Sequence, residues 1–338
     1  MNWTLNKMLR VGIPRALLYY QYYPMWKTFF QRLGAEVVVS PPTTRAMMEA
    51  GCTRMVAETC LPVKVCCGHV VSLVGQCDYL FVPAIRSLEA KTHNCSKFLG
   101  LPDMMRAVVP EAPPILDTEI DLSKGRRTFY QAVYGLGRHF TWNPMRVKSA
   151  SEAAWQAYLD YENGLRQSRQ TRPQALNRMF EPERQEPGKV SEGSSATPIA
   201  VIGHPYLIYD DFISQRLMAR LGKLGAEVLT AEMVAETELR ASIKELVGGS
   251  YWTYETEVVG AGGYYLRSGV NGVIGVAAFG CGPDSLMIEV VKRYARHRGV
   301  PFMTLTLDEH TGEAGIITRL EAFLDMIRRR RQGQVACA

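Results

Sequence analysis

A β-α-β unit near the start of this 338-residue chain limits its fold more than any other feature. Residues 9–14 form a short apolar run closed by proline, and residues 35–39 form a second run, each typical of a buried strand. Between them, apolar residues recur at helical spacing from Tyr19 onward, and Gly34 predicts the end of that helix. Pro24 predicts either a later start of the helix or a kink in it. Because such strands pair in parallel through a right-handed crossover, the sequence predicts an α/β fold.

The same unit returns in the second half of the chain. Residues 199–205 indicate a strand closed by proline, a helical stretch runs to Leu224, and residues 224–229 repeat residues 33–38 almost letter for letter. The prolines that close the two strands and the glycines that end the two helices show one spacing of 191 residues: Pro14 and Pro205, Gly34 and Gly225. Two anchors at one ungapped offset indicate an internal duplication.

Further strand-like runs extend the repeat. Residues 79–83 correspond to residues 273–277, and residues 114–121 lie 187 positions before residues 301–308. Each half is therefore predicted to contain about four parallel strands, with helices between them and a cleft between the two lobes. One large doubly wound sheet is the alternative.

The composition of the connecting segment predicts the domain boundaries. An N-terminal α/β lobe spans residues 1–148 and a C-terminal one spans residues 199–338. The connector, residues 149–198, is helical and polar up to about residue 180 and is then rich in Pro, Gly, Ser and charge. Near the chain end, the run 328–331 of four arginines is interpreted as a solvated helix end.

Composition excludes several classes of function. Hydrophobic residues make up 47% and charged residues 21%, as in globular proteins, and a net charge of +6 is too small to indicate nucleic acid binding. No apolar run reaches the roughly 18 residues of a membrane span, and residues 1–10 lack the pattern of an export signal. The sequence thus predicts a cytoplasmic protein without membrane or nucleic acid partners. In a reducing compartment its eight cysteines point to metal ligation or redox chemistry.

Three cysteines lie where ligands of an α/β sheet bind, outside the carboxyl ends of strands. Cys281, between two glycines, follows the strand that ends at Ala277 and precedes a predicted helix. Cys95 follows the corresponding strand of the first half, after a predicted loop at residues 85–94, and Cys60 lies at the predicted start of another helix. Three thiolates converging on a cleft can hold a 4Fe–4S cluster and leave one iron open for substrate or for bridging.

The remaining cysteines are weaker candidates. Cys66 and Cys67 are adjacent, so their side chains point in different directions and only one of them could be a fourth ligand. Cys52, Cys77 and Cys337 are interpreted as small buried packing residues. A zinc site fits less well, because structural zinc usually takes closely spaced pairs of ligands.

Four polar residues near the cysteines have open roles. Lys64 and Arg86 could supply positive charge beside an anionic cluster or substrate. His69 and His93 could be outer-shell donors or satisfied surface histidines. The chain contains no phosphate-binding P-loop, so ATP hydrolysis by the chain itself is not expected.

Several motifs together resemble those of acyl-CoA dehydratase activase-related proteins. That family is related to the cluster-binding subunits of 2-hydroxyacyl-CoA dehydratases, benzoyl-CoA reductases and double-cubane cluster proteins. The resemblance spans residues 9–328 apart from the linker. The motifs that carry it are Glu58-Thr59-Cys60-Leu61-Pro62-Val63-Lys64-Val65-Cys66-Cys67-Gly68-His69, Asn94-Cys95, Phe279-Gly280-Cys281-Gly282-Pro283-Asp284 and residues 307–315 with 318–323.

The resemblance implies two Rossmann-like (flavodoxin-like) lobes with an iron–sulfur cluster between them, held by Cys60, Cys95 and Cys281. It also implies low-potential electron transfer, driven by a separate ATP-hydrolysing activator protein, to a small molecule, an acyl-CoA or a partner. Two such chains could bring two clusters together as a bridged double cluster in a homodimer. Relatives often place proline after the middle cysteine, whereas Ser96 stands here. The alternatives are a non-catalytic iron–sulfur scaffold or partner of such a system and a metal-free α/β binding module.

Overall fold

A computed structural model of the chain describes residues 8–89, 91–180 and 196–336. The chain divides into two compact units, Met1–Asn163 with Tyr251–Thr253 and Gly164–Ser250 with Tyr254–Ala338. The division falls within a long helix, Pro144–Ser168. Over the described residues, no helix is both long enough and apolar enough to cross a membrane.

In the described residues, the first unit contains two parallel sheets and the helices between their strands. Its strands are β1 Arg10–Ile13, β2 Glu36–Val39, β3 Tyr79–Phe81, β4 Ala84–Ser87, β5 Ile115–Leu116 and β6 Glu119–Asp121. Its helices are α1 Tyr19–Arg32, α2 Arg45–Arg54, α3 Leu61–Leu73, α4 Ser96–Leu99, α5 Leu101–Val108, α6 Arg126–Gly137 and α7 Pro144–Ser168.

The second unit has one parallel sheet in its described part. Its strands are β7 Thr197–Ile202, β8 Ala226–Leu229, β9 Gly272–Ala278 and β10 Phe302–Leu307. Its helices are α8 Arg172–Phe180, α9 Pro205–Ile208, α10 Leu217–Lys223, α11 Glu236–Val247, α12 Ala261–Arg267, α13 Gly282–His297 and α14 Glu313–Ala336. A π-helical turn, Thr256–Gly260, leads directly into α12.

The two main sheets share one strand order. The first is ordered β2-β1-β3-β5 and the second β8-β7-β9-β10, and all their pairings are parallel. In each sheet, the second strand in chain order lies on one side of the first strand, and the third and fourth strands lie on the other side. The direction of winding therefore reverses once, between the first and third strands. The α/β class with parallel sheets and Rossmann-like lobes is confirmed, and the matching order is what an internal duplication predicts.

Apolar side chains on both faces bury the central strands. All seven residues of β9 are buried, as expected for the middle of a parallel sheet that is covered by helices on both sides. In the first unit, the rings of Trp26 and Phe30 on α1 pack on Phe81 of β3 at centroid distances of 4.6 and 5.1 Å. The apolar periodicity of α1 therefore faces the sheet, as its spacing predicts.

Helix α1 continues through Pro24 and is not delayed by it. A proline at this position lacks the N–H that would bond to the carbonyl of Tyr20, four residues earlier. The hydroxyl of Tyr161 on α7 donates to that carbonyl instead, at 2.7 Å in the buried interior. The connector helix α7, which begins before the predicted boundary at residue 149, thus supplies a core residue of the first unit.

The helical stretch predicted up to Leu224 is interrupted, so that prediction was wrong. Helices α9 and α10 are separated by residues 209–216. Gln215 and Arg216 have φ angles of 52° and 58°, in the left-handed region where a right-handed helix cannot continue.

The repeat matches residues 114–121 to residues 301–308, which contain one strand. In the structure, residues 114–121 contain two strands, β5 and β6. Strand β5 pairs with β3, whereas β6 pairs with β4 in a separate two-stranded parallel sheet, where Ile85 lies opposite Ile120. Strand β4 lies at the position of the loop predicted from residue 85, so the loop prediction was also wrong there. Strand β4 of this small sheet precedes Cys95 in the chain, and β6 follows it.

Two other predictions concern the chain ends and the linker. The arginine run 328–331 lies inside α14, which continues to Ala336. Residues 329–331 of this run are exposed, as predicted. Residues 181–195 of the predicted linker and Cys337 lie outside the described residues.

Candidate functional site

The three cysteines predicted as ligands share one local structure. Cys60, Cys95 and Cys281 are each the residue directly before a helix, and each is partly exposed. Their backbones are non-helical, with ψ angles of 147°, 139° and 107°. N–H groups of a first helical turn have no partner within the helix, so they can donate to an anion placed there. Cys60 and Cys95 belong to the first unit and Cys281 to the second.

Helix α3 places Cys60. Pro62 stands in its first turn, where a missing N–H costs nothing. The buried side chain of Lys64 donates from Nζ to the carbonyl of Ala57 at 2.9 Å, which ties the loop before Cys60 to the helix. The structure thus gives Lys64 a structural contact, and its predicted role as a charge near a cluster remains a prediction.

The small β4–β6 sheet holds the loop before Cys95. The N–H of Asn94 donates to the carbonyl of Arg86 at 2.9 Å. The Arg86 guanidinium pairs with Glu119 at 2.9 Å and Asp121 at 3.5 Å. The positive charge of Arg86, which was predicted to lie beside a cluster, is therefore paired with two carboxylates on the neighbouring strand.

A segment that is distant in the chain, residues 251–253, contacts this loop, and sequence analysis did not predict the contact. Residues 251–253 belong to the first unit, where Trp252 forms an isolated parallel bridge with His93. The N–H of His93 donates to the carbonyl of Tyr251 at 3.0 Å, and the N–H of Thr253 donates to the carbonyl of His93 at 3.1 Å. His93 is exposed and lies against the ring of Tyr251, so its contacts hold the segment two residues before Cys95.

Burial separates three of the other four cysteines of the first unit from the candidate ligands. Cys66, Cys67 and Cys77 are buried. Burial raises the pKa of the Cys66 thiol to about 12 and that of the Cys67 thiol to about 11. Since the thiolate is the metal ligand, the surroundings of Cys66 and Cys67 oppose their predicted role as an extra ligand. Cys52, in contrast, is partly exposed within α2.

His69 is buried in α3 and is not the surface histidine that the sequence suggested. Its Nδ1 is 2.8 Å from the Ser40 hydroxyl and its Nε2 is 2.8 Å from the Thr43 hydroxyl, so both ring nitrogens are satisfied. Burial, and secondarily the positive charge of Arg15, lower the pKa of His69 to about 4. The ring is therefore neutral at neutral pH and ties α3 to the chain after β2.

This shift predicts an acid sensitivity. The folded pKa of about 4 lies below the value of 6.5 for a free histidine, so the stabilisation is complete above pH 6.5 and is lost as the pH falls toward 4. Between pH 7 and pH 5, the free energy of unfolding should fall by about 2 kcal/mol through this residue alone. Urea titrations of wild type and His69→Gln at both pH values measure it. Equal pH dependence in the two proteins would contradict the assignment.

A crevice in the first unit lies at the reversal of the sheet, outside the ends of β1 and β3. Its walls include Ile13 and Pro14, residues 81–83, the Tyr23 ring and Cys66, and it is partly open to solvent. Ligands of open α/β sheets bind at this position. The crevice is mostly apolar, so it suits an apolar group.

Over the described residues, neither unit gathers three or more His, Cys, Asp or Glu side chains into a group placed to hold a metal ion. Within the first unit, the predicted ligands Cys60 and Cys95 therefore form no such group with a third side chain. Cys281 lies in the second unit, where its neighbours are Asp284 and, through that carboxylate, His204.

The chain belongs to the family described as the CoA enzyme activase uncharacterised domain, whose model matches residues 10–234. The match confirms the relationship to CoA enzyme activases that the motifs indicated. It includes Cys60 and Cys95 and ends before β9 and Cys281. No curated protein matches the chain.

Proposed function

We propose that the chain is an iron–sulfur protein in which Cys60, Cys95 and Cys281 hold a 4Fe–4S cluster. The observation that carries the proposal is their shared placement, partly exposed and directly before a helix. At Cys60 and Cys281, the free N–H groups at the starts of α3 and α13 can donate to an anionic cluster. The donor set is all sulfur, which suits iron–sulfur clusters.

Membership in a family of CoA enzyme activase-related proteins supports a place in such an enzyme system. In this proposal a separate ATP-hydrolysing activator reduces the protein. The electrons then pass to a small molecule, such as an acyl-CoA, or to a partner protein. When bound, a cluster with three cysteine ligands supplies one iron that is open to substrate. The apolar crevice at the ends of β1 and β3 supports an acceptor with an apolar portion.

The chain's own residues would prepare the site. The Lys64–Ala57 contact holds the loop before Cys60, and the His93 bridge holds the loop before Cys95. These contacts place two thiols before any metal arrives, which reduces the ordering that binding requires. A homodimer with a bridged double cluster and a cytoplasmic location remain predictions from the sequence.

Iron and sulfide quantitation on anaerobically purified protein tests the proposal. Wild type should hold about four iron and about four sulfide per chain and give an electron paramagnetic resonance signal when reduced. Cys60→Ala, Cys95→Ala and Cys281→Ala should each reduce bound iron to below about one atom per chain, because each removes one of three ligands. Cys52→Ala is the matched control, since Cys52 is also partly exposed but lies inside a helix.

Two outcomes would contradict the proposal. Wild type without iron and sulfide would favour a metal-free α/β binding module, and a Cys281→Ala protein with full iron content would remove the second unit from the site. A cluster that is reduced but supports no turnover with a low-potential reductant and acyl-CoA would favour the scaffold role over the enzymatic one.

A further inference from the structure

A buried ion pair lies beside Cys281 in the second unit. The Nε2 of His204 is 2.6 Å from Oδ1 of Asp284, and the two side chains are only 5% and 3% exposed. Cys281 also hydrogen-bonds to the Asp284 carboxylate. Removing two charges from water costs several kcal/mol per ion unless the geometry compensates, so a pair this deep is not an ordinary surface contact.

The fold brings the pair to the reversal of the second sheet. His204 follows β7, and Cys281 and Asp284 follow β9, the strand next to β7. Gly203 makes the approach possible: its φ is 158°, and a Cβ there would lie 2.7 Å from the Val276 carbonyl oxygen. At the matching position of the first unit, 191 residues earlier, stands Ile13, which lines the apolar crevice.

Asp284 joins three parts of this region through one carboxylate. Its Oδ2 accepts from the N–H of Ala278, the last residue of β9, at 3.0 Å, and its Oδ1 contacts His204. Cys281 is the third partner, on the turn between β9 and α13. The carboxylate therefore spans the turn that carries the cysteine and fixes both of its ends.

The charges of the pair support each other. Burial raises the pKa of Asp284, but the charge of His204 and the hydrogen bonds from His204, Ala278 and Cys281 together outweigh burial, and the pKa is lowered overall. Burial lowers the pKa of His204, but the charge and hydrogen bond of Asp284 and the charge of Glu257 together outweigh burial, so that this pKa is raised overall. The rings of Tyr206 and Tyr254, at centroid distances of 4.9 and 5.1 Å, hold the imidazole from two sides.

We propose that Asp284 and His204 are positioning residues for Cys281: they fix the turn between β9 and α13 that presents its sulfur at the start of α13. The role in metal binding rests on the proposed cluster. The orientation of the thiol is a property of the protein chain and exists before any metal binds. Partners of this kind, which orient a ligand without touching the metal, typically change metal affinity by about 10–100-fold when mutated.

The first test uses the metal-free full-length protein. Each cysteine is alkylated with iodoacetamide and its rate is followed by peptide mass spectrometry. Asp284→Asn keeps the size of the side chain but weakens the contacts that fix the turn, so the less constrained Cys281 should react about fivefold faster or more, while Cys60 and Cys95 change by less than about twofold. Glu236→Gln, which removes another first-turn carboxylate in the same unit, should leave all three rates unchanged.

The second test uses the loaded protein and follows the loss of iron to a chelator. Asp284→Asn and His204→Leu should release iron about tenfold faster or more than wild type, with an altered electron paramagnetic resonance signal. His204→Gln should restore wild-type behaviour, because its amide can still donate to Asp284. A residue with a general structural role alone would give no such rescue.

The outcomes separate this proposal from the cluster itself. If wild type binds no iron, the proposed function fails and the alkylation rates alone decide the positioning role. If Cys281 reacts at the wild-type rate in Asp284→Asn, or if all three cysteines accelerate together, the positioning role is overturned whatever the iron content.

Discussion

A Gly51→Ala protein is expected to lose about 3 kcal/mol or more of the free energy of unfolding of the first unit. Gly51 lies in α2, buried against α3, and a Cβ at this position would lie 1.9 Å from the carbonyl oxygen of Lys64. Gly68 of α3 makes the reciprocal approach, with a Cβ that would lie 2.0 Å from the carbonyl oxygen of Met47. Both obstacles are backbone atoms, so the two helices would have to separate.

The separation would reach the candidate site, because α3 begins directly after Cys60. Eleven of the thirteen residues of α3 are buried, so the helix has little freedom to shift as a whole. We therefore expect Gly51→Ala to lower iron content in the reconstituted protein as well as stability. The loss of iron would follow from displacement of Cys60, without any change to a ligand.

Urea denaturation followed by circular dichroism measures the stability effect. Gly135→Ala is the matched control, since Gly135 lies in helix α6 of the same unit and a Cβ there meets nothing within 4 Å. Replacing a helical glycine with alanine in open space should stabilise the protein by up to about 1 kcal/mol. Equal stability of the two variants would show that α2 and α3 do not meet through their backbones.

Local periodicity and the repeat predict most of the fold. The strands around residues 10–13, 36–39 and 273–277 are short apolar runs between turn residues, and such runs carry their own structural preference. The duplication then transfers the parallel order of one half to the other. The helix starts at Cys60 and Cys281 were also predictable, because a proline within the next two residues favours the first turn of a helix.

Contacts between residues that are distant in the chain could not be predicted from local sequence patterns. The bridge between His93 and Trp252 involves too few residues to show any periodicity, and nothing local relates the two positions. Asp284 has the pattern of an ordinary first-turn acid until His204 is placed beside it. The duplication is misleading at this point, since the matching residue of the first half, Ile13, is apolar.

Arg172→Met is expected to destabilise the second unit by about 3 kcal/mol or more, because it removes one partner from a buried charged network. The side chain of Arg172 is only 4% exposed and lies 3.6 Å from the Glu257 carboxylate in the π-helical turn. Its backbone N–H donates to the buried Glu232 at 3.2 Å, and the Tyr209 hydroxyl donates to the same carboxylate. Without the guanidinium, the Glu257 carboxylate would lose its nearby cation.

A double-mutant cycle separates the charge effect from lost packing. Glu257→Gln keeps the size of the side chain but removes the negative charge that lies 3.6 Å from the guanidinium. The double variant Arg172→Met/Glu257→Gln should therefore recover about 1–3 kcal/mol relative to the sum of the single changes. Arg293→Met is the matched control, because its pair with Glu289 on α13 is exposed and should cost about 0.5 kcal/mol or less. Additive single changes in urea titrations would show that Arg172 contributes packing alone. A coupling in the predicted range would identify it as the cation that stabilises the Glu257 carboxylate and the π-helical turn that carries it.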